Sequence, residues 1–148
     1  MENLLDGNLD TAWIEGAKGP GVGEWIEITF KPKVIINAIG VLNGYCKSES
    51  ALKTNGQVLE MEVQSFQKWD GEEQRQKDDL KLGRTVFSPQ LRKLPGAFAQ
   101  WVVDNGEGHP VVRKVRLKIT AAEKGTEFAD TAITELYICG HPVKKGSD

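Results

Sequence analysis

Asn3-Leu-Leu-Asp-Gly-Asn-Leu-Asp-Thr-Ala-Trp13 and, after a glycine-rich loop, Gly23-Glu-Trp-Ile-Glu-Ile-Thr-Phe30 decide how this chain folds. In the first segment Asp6, Gly7 and Asn8 make a turn signal, and Asp10 and Thr11 add oxygen donors ahead of Trp13. Asp, Asn and Thr side chains bond nearby backbone and compete with helix, so the segment is a loop. Such a loop can aim several oxygens at one point, as a hard cation or a tight polar turn requires. The second segment alternates as a half-buried strand does, with Ile26, Ile28 and Phe30 on one face and Trp25, Glu27 and Thr29 on the other. An oxygen-rich loop feeding such a strand is the plan of a binding module rather than of a catalyst.

Outward from these segments, alternation dominates and helical periodicity is scarce. Val34 to Leu42 is a nearly continuous apolar run, as in a strand buried on both faces. Leu59, Met61 and Val63 alternate with Glu60, Glu62 and Gln64, and Trp69-Asp70-Gly71 supplies a hairpin-type turn. The charged stretch from Glu72 to Leu82 is an edge strand or a loop. Arg84 to Phe87 has the pattern of a short strand, Ser88 to Gly96 of a loop, Phe98 to Val103 of a strand and Asp104 to Gly108 of a turn. Val111 to Thr120 is patterned best: Val115, Leu117 and Ile119 point inward, Lys114, Arg116 and Lys118 outward. Ile133 to Cys139 closes the fold, with Ile133 or Leu136 and Ile138 inward. The one helical turn expected lies around Lys47 to Lys53. Many short strands separated by turns predict an all-β sandwich or barrel.

The order of these elements resembles the discoidin, or coagulation-factor type C, family of galactose-binding-like domains. It is most similar to the bacterial branch that includes the translocation domain of secreted NAD glycohydrolases. The residues that carry the resemblance are Asp6-Gly7-Asn8, Thr11-Ala12-Trp13, Glu15-Gly16, the strand from Trp25 to Phe30, Asn43-Gly44-Tyr45 with Lys47-Ser48, and Asp130 to Glu135. The stretch from Lys68 to Gly96 fits poorly and looks expanded. The resemblance implies a jelly-roll β-sandwich of about eight antiparallel strands over residues 1–142, with 143–148 a disordered tail. It implies that the first strand of the domain is missing, because the chain opens almost on the Asp-Gly turn. It also implies a non-catalytic part of a secreted, periplasmic or surface bacterial protein.

Two sites follow. The resemblance implies a structural Ca²⁺ held by Asp6, Thr11 and Asn8 (or Asp10) together with Glu135 from the last strand, with carbonyls completing six or seven oxygens. Otherwise Asp6 and Thr11 cap their own turn and Glu135 pairs with a lysine. A ligand site is expected on Asn43-Gly44-Tyr45-Cys46-Lys47-Ser48, the loop that follows the buried strand. Tyr45 offers a ring and a hydroxyl, Asn43, Lys47 and Asn55 offer donors and acceptors, and Glu15 and Lys18 border the same pocket. A ring beside amides and charges suits a sugar, whose C–H faces are apolar and whose edges are hydroxyls. The function expected is glycan or glycoconjugate binding; the alternative is a protein-interaction or translocation module without it. Trp13 is placed largely inside by the resemblance, Trp25 could face either way, Trp69 is expected at the surface and Trp101 in the core or an interface.

Composition sets the outer bounds. The 148 residues suffice for one domain with its own core, and 39% hydrophobic and 27% charged content is that of a globular chain. A net charge of −2 gives no electrostatic case for nucleic acid or for an anionic membrane. No apolar run approaches the ~20 residues of a transmembrane helix. Cys46 and Cys139 allow one disulfide at most and no metal cluster; two free thiols are the simpler arrangement. Gly16 to Gly23 lacks the Gly-Lys-Ser/Thr ending of a phosphate loop and precedes a strand, so it is a loop that passes close to a neighbour or a ligand. His109 and His141 have no nucleophile motif beside them, and nothing singles out a catalytic pair among the 21 carboxylates. No enzymatic activity is expected.

Overall fold

A computed structural model of the chain describes residues 4–8, 10–16, 18–66, 74–82, 99–102 and 111–144. Its elements are β1 (Trp13–Ile14), β2 (Trp25–Asn43), α1 (Glu49–Thr54), β3 (Gly56–Phe66), β4 (Gln74–Lys81), β5 (Ala99–Val102), β6 (Val111–Glu123) and β7 (Thr131–Pro142). The fold is all-β, with seven strands among the described residues where about eight were expected. The expected turns at Trp69 to Gly71 and Asp104 to Gly108, the strand at Arg84 to Phe87, the loop at Ser88 to Gly96 and the residues from Lys145 lie outside the described residues. Val143 still donates its N–H to the Lys33 carbonyl (2.9 Å).

The two strands anticipated on either side of Lys31-Pro32-Lys33 are one strand of 19 residues that changes partners. Trp25 to Thr29 pair with Lys118 to Lys114 of β6. Beyond Val34 the strand pairs chiefly with β7, from Val34 opposite Pro142 to Asn43 opposite Ile133, and Ala38 to Val41 pair with β5. The register with β6 breaks between Thr29 and Val34. Pro32 lies within that break, where a residue without an N–H does least harm to a ladder. The strand order is β1-β7-β2-β6-β3-β4, with β5 on β2, and Gly56 and Gln57 of β3 also run parallel to Thr131 and Ala132 of β7.

The inward faces make one core, which includes Leu4, Ile26, Ile39, Met61, Leu117, Ile119 and Ile133. Val115, Leu117 and Ile119 point inward as their alternation requires. In β3 the phase differs from the sequence pattern: Val58, Met61 and Val63 are buried, and Leu59 is only half-buried. Register shifts against β6 between Val58 and Glu60, and between Glu60 and Met61, are the cause, since an unpaired residue flips the facing of those around it. In β7 residues 131–136 are all buried, including Ile133 and Leu136, and Ile138 is half-buried.

Lys114 is a correction. It is buried rather than solvated, its Nζ 4.5 Å from the centre of the Phe66 ring. Trp13 is half-buried against the core, whereas Trp25 is 53% exposed. The backbone of Trp101 pairs with Ile39. Both cysteines are free, Cys46 buried and Cys139 exposed. The short helix forms where expected: Ser48 caps it by accepting the Ala51 N–H (3.0 Å), Glu49 lies in its first turn and Lys53 in its last.

Candidate functional site

Two loops meet beside the start of β7. In the first, Asp6 Oδ1 accepts the Asn8 N–H (2.8 Å) and Asn8 Oδ1 accepts the Asp10 N–H (3.0 Å), two successive side-chain-closed turns. The Thr11 hydroxyl bonds to Asp6 Oδ2 (2.5 Å) and lies 3.0 Å from the Asn8 carbonyl. Gly7 has φ +67°, a conformation that favours glycine, and this turns its N–H onto Glu135 Oε2 (3.1 Å) across the fold. Glu135 itself is buried.

Asp6, Asn8, Thr11 and Glu135 are therefore brought together. Burial chiefly pushes the Glu135 carboxyl above its ordinary range; the Gly7 N–H opposes this, and the charge of Asp6 and a hydrogen bond with it add to it. Asp6 is held below its ordinary range, first by the Thr11 hydroxyl and then by the Asn8 N–H. The donors are hard oxygens with only two carboxylates among them, and among the described residues no group of three or more His, Cys, Asp or Glu could hold a metal. That chemistry suits Ca²⁺ rather than a transition metal, provided carbonyls and water complete the shell. Both carboxylates already close protein hydrogen bonds, so the same residues also hold the turn without an ion.

The second loop, residues 43–48, rests on a rigid base. Gly44 has φ +81° and donates its N–H to the Ala132 carbonyl (2.9 Å). The Thr134 hydroxyl donates to the Gly44 carbonyl (2.6 Å) and accepts the Cys46 N–H (2.8 Å), clasping the loop from both sides. Burial raises the Cys46 thiol above its ordinary range, so the group stays protonated and inert, lying 3.3 Å from the Asn43 carbonyl. Half-buried Tyr45 donates its hydroxyl to the Asp10 carbonyl (3.2 Å), tying the second loop to the first. Lys47 is exposed beside it, and Lys18 is exposed in the glycine-rich loop.

Three expected ligand residues serve the fold instead. Asn43 is buried, and its amide bridges to β3 by accepting the Val58 N–H (3.0 Å) and donating to the Val58 carbonyl (2.5 Å). Asn55 caps the end of α1, with Nδ2 and its backbone N–H both on the Ala51 carbonyl (2.9 and 3.2 Å). Glu15 is buried under the glycine-rich loop: a Cβ on Gly21 would stand 2.5 Å from the Glu15 carboxyl carbon. The close approach expected of that loop is thus made to Glu15. Thr134 is the residue that sequence reasoning missed. It lies within the Asp130 to Glu135 stretch that carries the resemblance, but nothing there gave it a role, because its two bonds depend on a loop about 90 residues away in sequence.

Residues 1–139 match the family of NAD glycohydrolase translocation F5/8 type C domains. The chain belongs to that family. No curated protein sequence matches this F5/8 type C domain. It is similar to the Streptococcus pyogenes NAD⁺-glycohydrolase translocation domain solved by NMR, at 19% identity and a TM-score of 0.56, covering 86% of this chain and 96% of that one. It is also similar to CBM32-3 from a family 31 glycoside hydrolase of Clostridium perfringens, at 16% identity and a TM-score of 0.64, covering 94% and 81%. The CBM32 of AlyQ, solved with 4,5-unsaturated mannuronic acid, gives 15% identity and a TM-score of 0.58, covering 93% and 84%. At these identities the likeness establishes the fold. The family is one of translocation and binding domains rather than of catalytic ones. Among the described residues no helix is long and apolar enough to cross a membrane.

Proposed function

We propose that this F5/8 type C domain is a non-catalytic carbohydrate-binding module of a secreted or surface bacterial protein, taking glycan at the paired loops. The observation that carries the proposal is Tyr45, half-buried with its hydroxyl on the Asp10 carbonyl and its flanks clasped by Thr134. A ring fixed in this way costs little entropy on binding. Its face suits the C–H side of a sugar, its hydroxyl oxygen can still accept, and exposed Lys47 beside it can meet a hydroxyl or an acidic substituent. The CBM32 folds among its structural relatives support this reading. Affinity per site is weak, since a small polar ligand exchanges water bonds for protein bonds. Ca²⁺ on Asp6, Asn8, Thr11 and Glu135 is structural in this scheme, stapling the first loop to β7. The strands form a jelly-roll sandwich, a view supported by the change of partners halfway along β2.

The family match favours one second reading, a translocation module that docks a protein. A protein interface needs ~800 Å² per partner, so single loop substitutions outside a hot spot would hardly register there, whereas a glycan pocket should fail on one. The deciding experiment is a glycan array with and without EDTA, comparing the parent chain with Tyr45→Ala. Loss of Tyr45 removes one surface-loop hydrogen bond, about 1 kcal/mol, so the variant should stay folded and lose binding by tenfold or more. Silence of a folded parent across the array would transfer the function to a protein partner.

A further inference from the structure

Away from the loops, the outward face of β2, β6 and β3 carries an arrangement that the glycan-loop reading does not use. Glu27, Arg116 and Gln64 lie opposite one another across the three strands. The Arg116 guanidinium donates through Nε (3.2 Å) and Nη2 (3.0 Å) to a single oxygen, Glu27 Oε2, and Lys114 Nζ approaches the same oxygen at 4.0 Å. The guanidinium carbon also stands 5.1 Å from the Trp25 ring centre and 5.4 Å from that of Phe66. Trp25 is nevertheless 53% exposed, leaving a large aromatic surface in water beside an ordered cation.

A merely solvated sheet face needs neither feature. Exposed ion pairs contribute little, and long side chains there lose entropy when held in one geometry. Here Arg116 is fixed by two rings and a carboxylate, so its fork is set in advance for a planar partner. Among the described residues, Arg116 Nη1, Glu27 Oε1 and the Trp25 indole N–H make no hydrogen bond. On the outward face of these strands Lys114, Arg116 and Lys118 stand among Glu27, Glu60 and Glu62, so basic and acidic residues are interspersed around the Trp25 ring. One exposed ring beside one oriented guanidinium donor matches a ligand with an apolar face and a single carboxylate per unit.

We propose that this sheet face is a second binding site, where Trp25 packs against the ring of a uronic acid sugar in an acidic glycan and Arg116 Nη1 receives its carboxylate. The site shares no residue with the loops and does not depend on their binding sugar. A protein with an acidic surface is the competing occupant, but its larger footprint would make the single Trp25 ring a minor part of the contact.

The test uses the Tyr45→Ala chain, so that loop binding is removed, and follows the Trp25 indole N–H by ¹H–¹⁵N NMR. The probes are trigalacturonate, a mannuronate trisaccharide and a hyaluronan tetrasaccharide, each beside its neutral methyl ester. The indole resonance should move and saturate with at least one acid, and the ester should bind at least tenfold more weakly. Trp25→Phe should weaken that acid several-fold and Arg116→Lys at least tenfold, since lysine keeps the charge and loses the fork. Melting temperatures of both variants check that the fold is intact. Equal binding of acid and ester would overturn the carboxylate assignment. An indole resonance unmoved by all three acids, or an unchanged affinity in folded Arg116→Lys, would overturn the site.

Discussion

Glu135 is the residue on which the first loop turns. It lies buried and accepts the Gly7 N–H, with the carboxylate of exposed Asp6 close enough to act on its charge. A carboxyl whose folded pKa is raised binds its proton more tightly in the native state. Its stabilising contribution is full below its ordinary value of 4.5 and fades as pH climbs through the raised value. Asp6 acts in the opposite sense, contributing above its ordinary value and losing that contribution as pH falls through the lowered one. Above the raised value, the uncompensated charge on Glu135 therefore costs stability unless a cation joins it. Glu135→Gln keeps an acceptor for Gly7 and removes the charge. In metal-free buffer it should raise the melting temperature at pH 7 and flatten the dependence on pH above 4.5. Millimolar Ca²⁺ should raise the melting temperature of the parent and leave the variant unmoved. Thermal melts across pH, with EDTA and with Ca²⁺, read both effects; a variant that melts lower at pH 7 would mean that Glu135 works as a paired anion.

At the scale of elements, the join between β2 and α1 decides whether the Tyr45 loop is presented at all. Gly44 has φ +81°, and a Cβ there would collide with Leu52 of the helix and press on Gln57 of β3. Gly44→Ala combines a left-handed backbone, about 1–2 kcal/mol, with displaced packing. It should lower the urea midpoint by more than the backbone cost alone, while Gly7→Ala, with no neighbour within 4 Å of its Cβ, should lose only the backbone part. Element type was legible in the sequence wherever alternation was regular: β6 kept its phase, and the Ser48 helix sat where its cap and charges indicated. The phase of β3 was not, because an unpaired residue is set by the partner strand and leaves no mark on local hydrophobicity. The same limit hid the fates of Asn43 and Lys114. Asparagine at a strand end reads as a loop residue until Val58 is known to lie opposite, and a strand lysine reads as solvated until Phe66 is placed beside it. The polar residues of the first loop were easier to gather, since four of its side-chain atoms bond within a few residues of each other, whereas Glu135 meets them only through the fold.

For the molecule as a whole, the chain's early and late segments close one core. Leu4, just ahead of the Asp-Gly turn, is fully buried in the cluster that includes Ile39, Met61, Ile119 and Ile133, and three residues on Gly7 bonds to Glu135. Glu15 then donates its N–H to the Thr131 carbonyl (3.1 Å), and Trp13 and Ile14 pair with Ile133 and Ala132. A first loop anchored by one apolar plug and several long-range bonds melts with the rest of the fold instead of fraying ahead of it. Leu4→Ala tests that coupling. Truncating a fully buried leucine costs about 2–5 kcal/mol, the upper part of the range where the cavity cannot collapse. The far-UV circular dichroism and tryptophan fluorescence transitions of the variant should move down together and remain superimposable, with an unchanged denaturant slope. A fluorescence change preceding the loss of strand signal would mean that the first loop opens separately. The Tyr45 hydroxyl, bonded to the Asp10 carbonyl, would then lose its anchor as the first loop opened, while Thr134 still held the rest of the Tyr45 loop to β7.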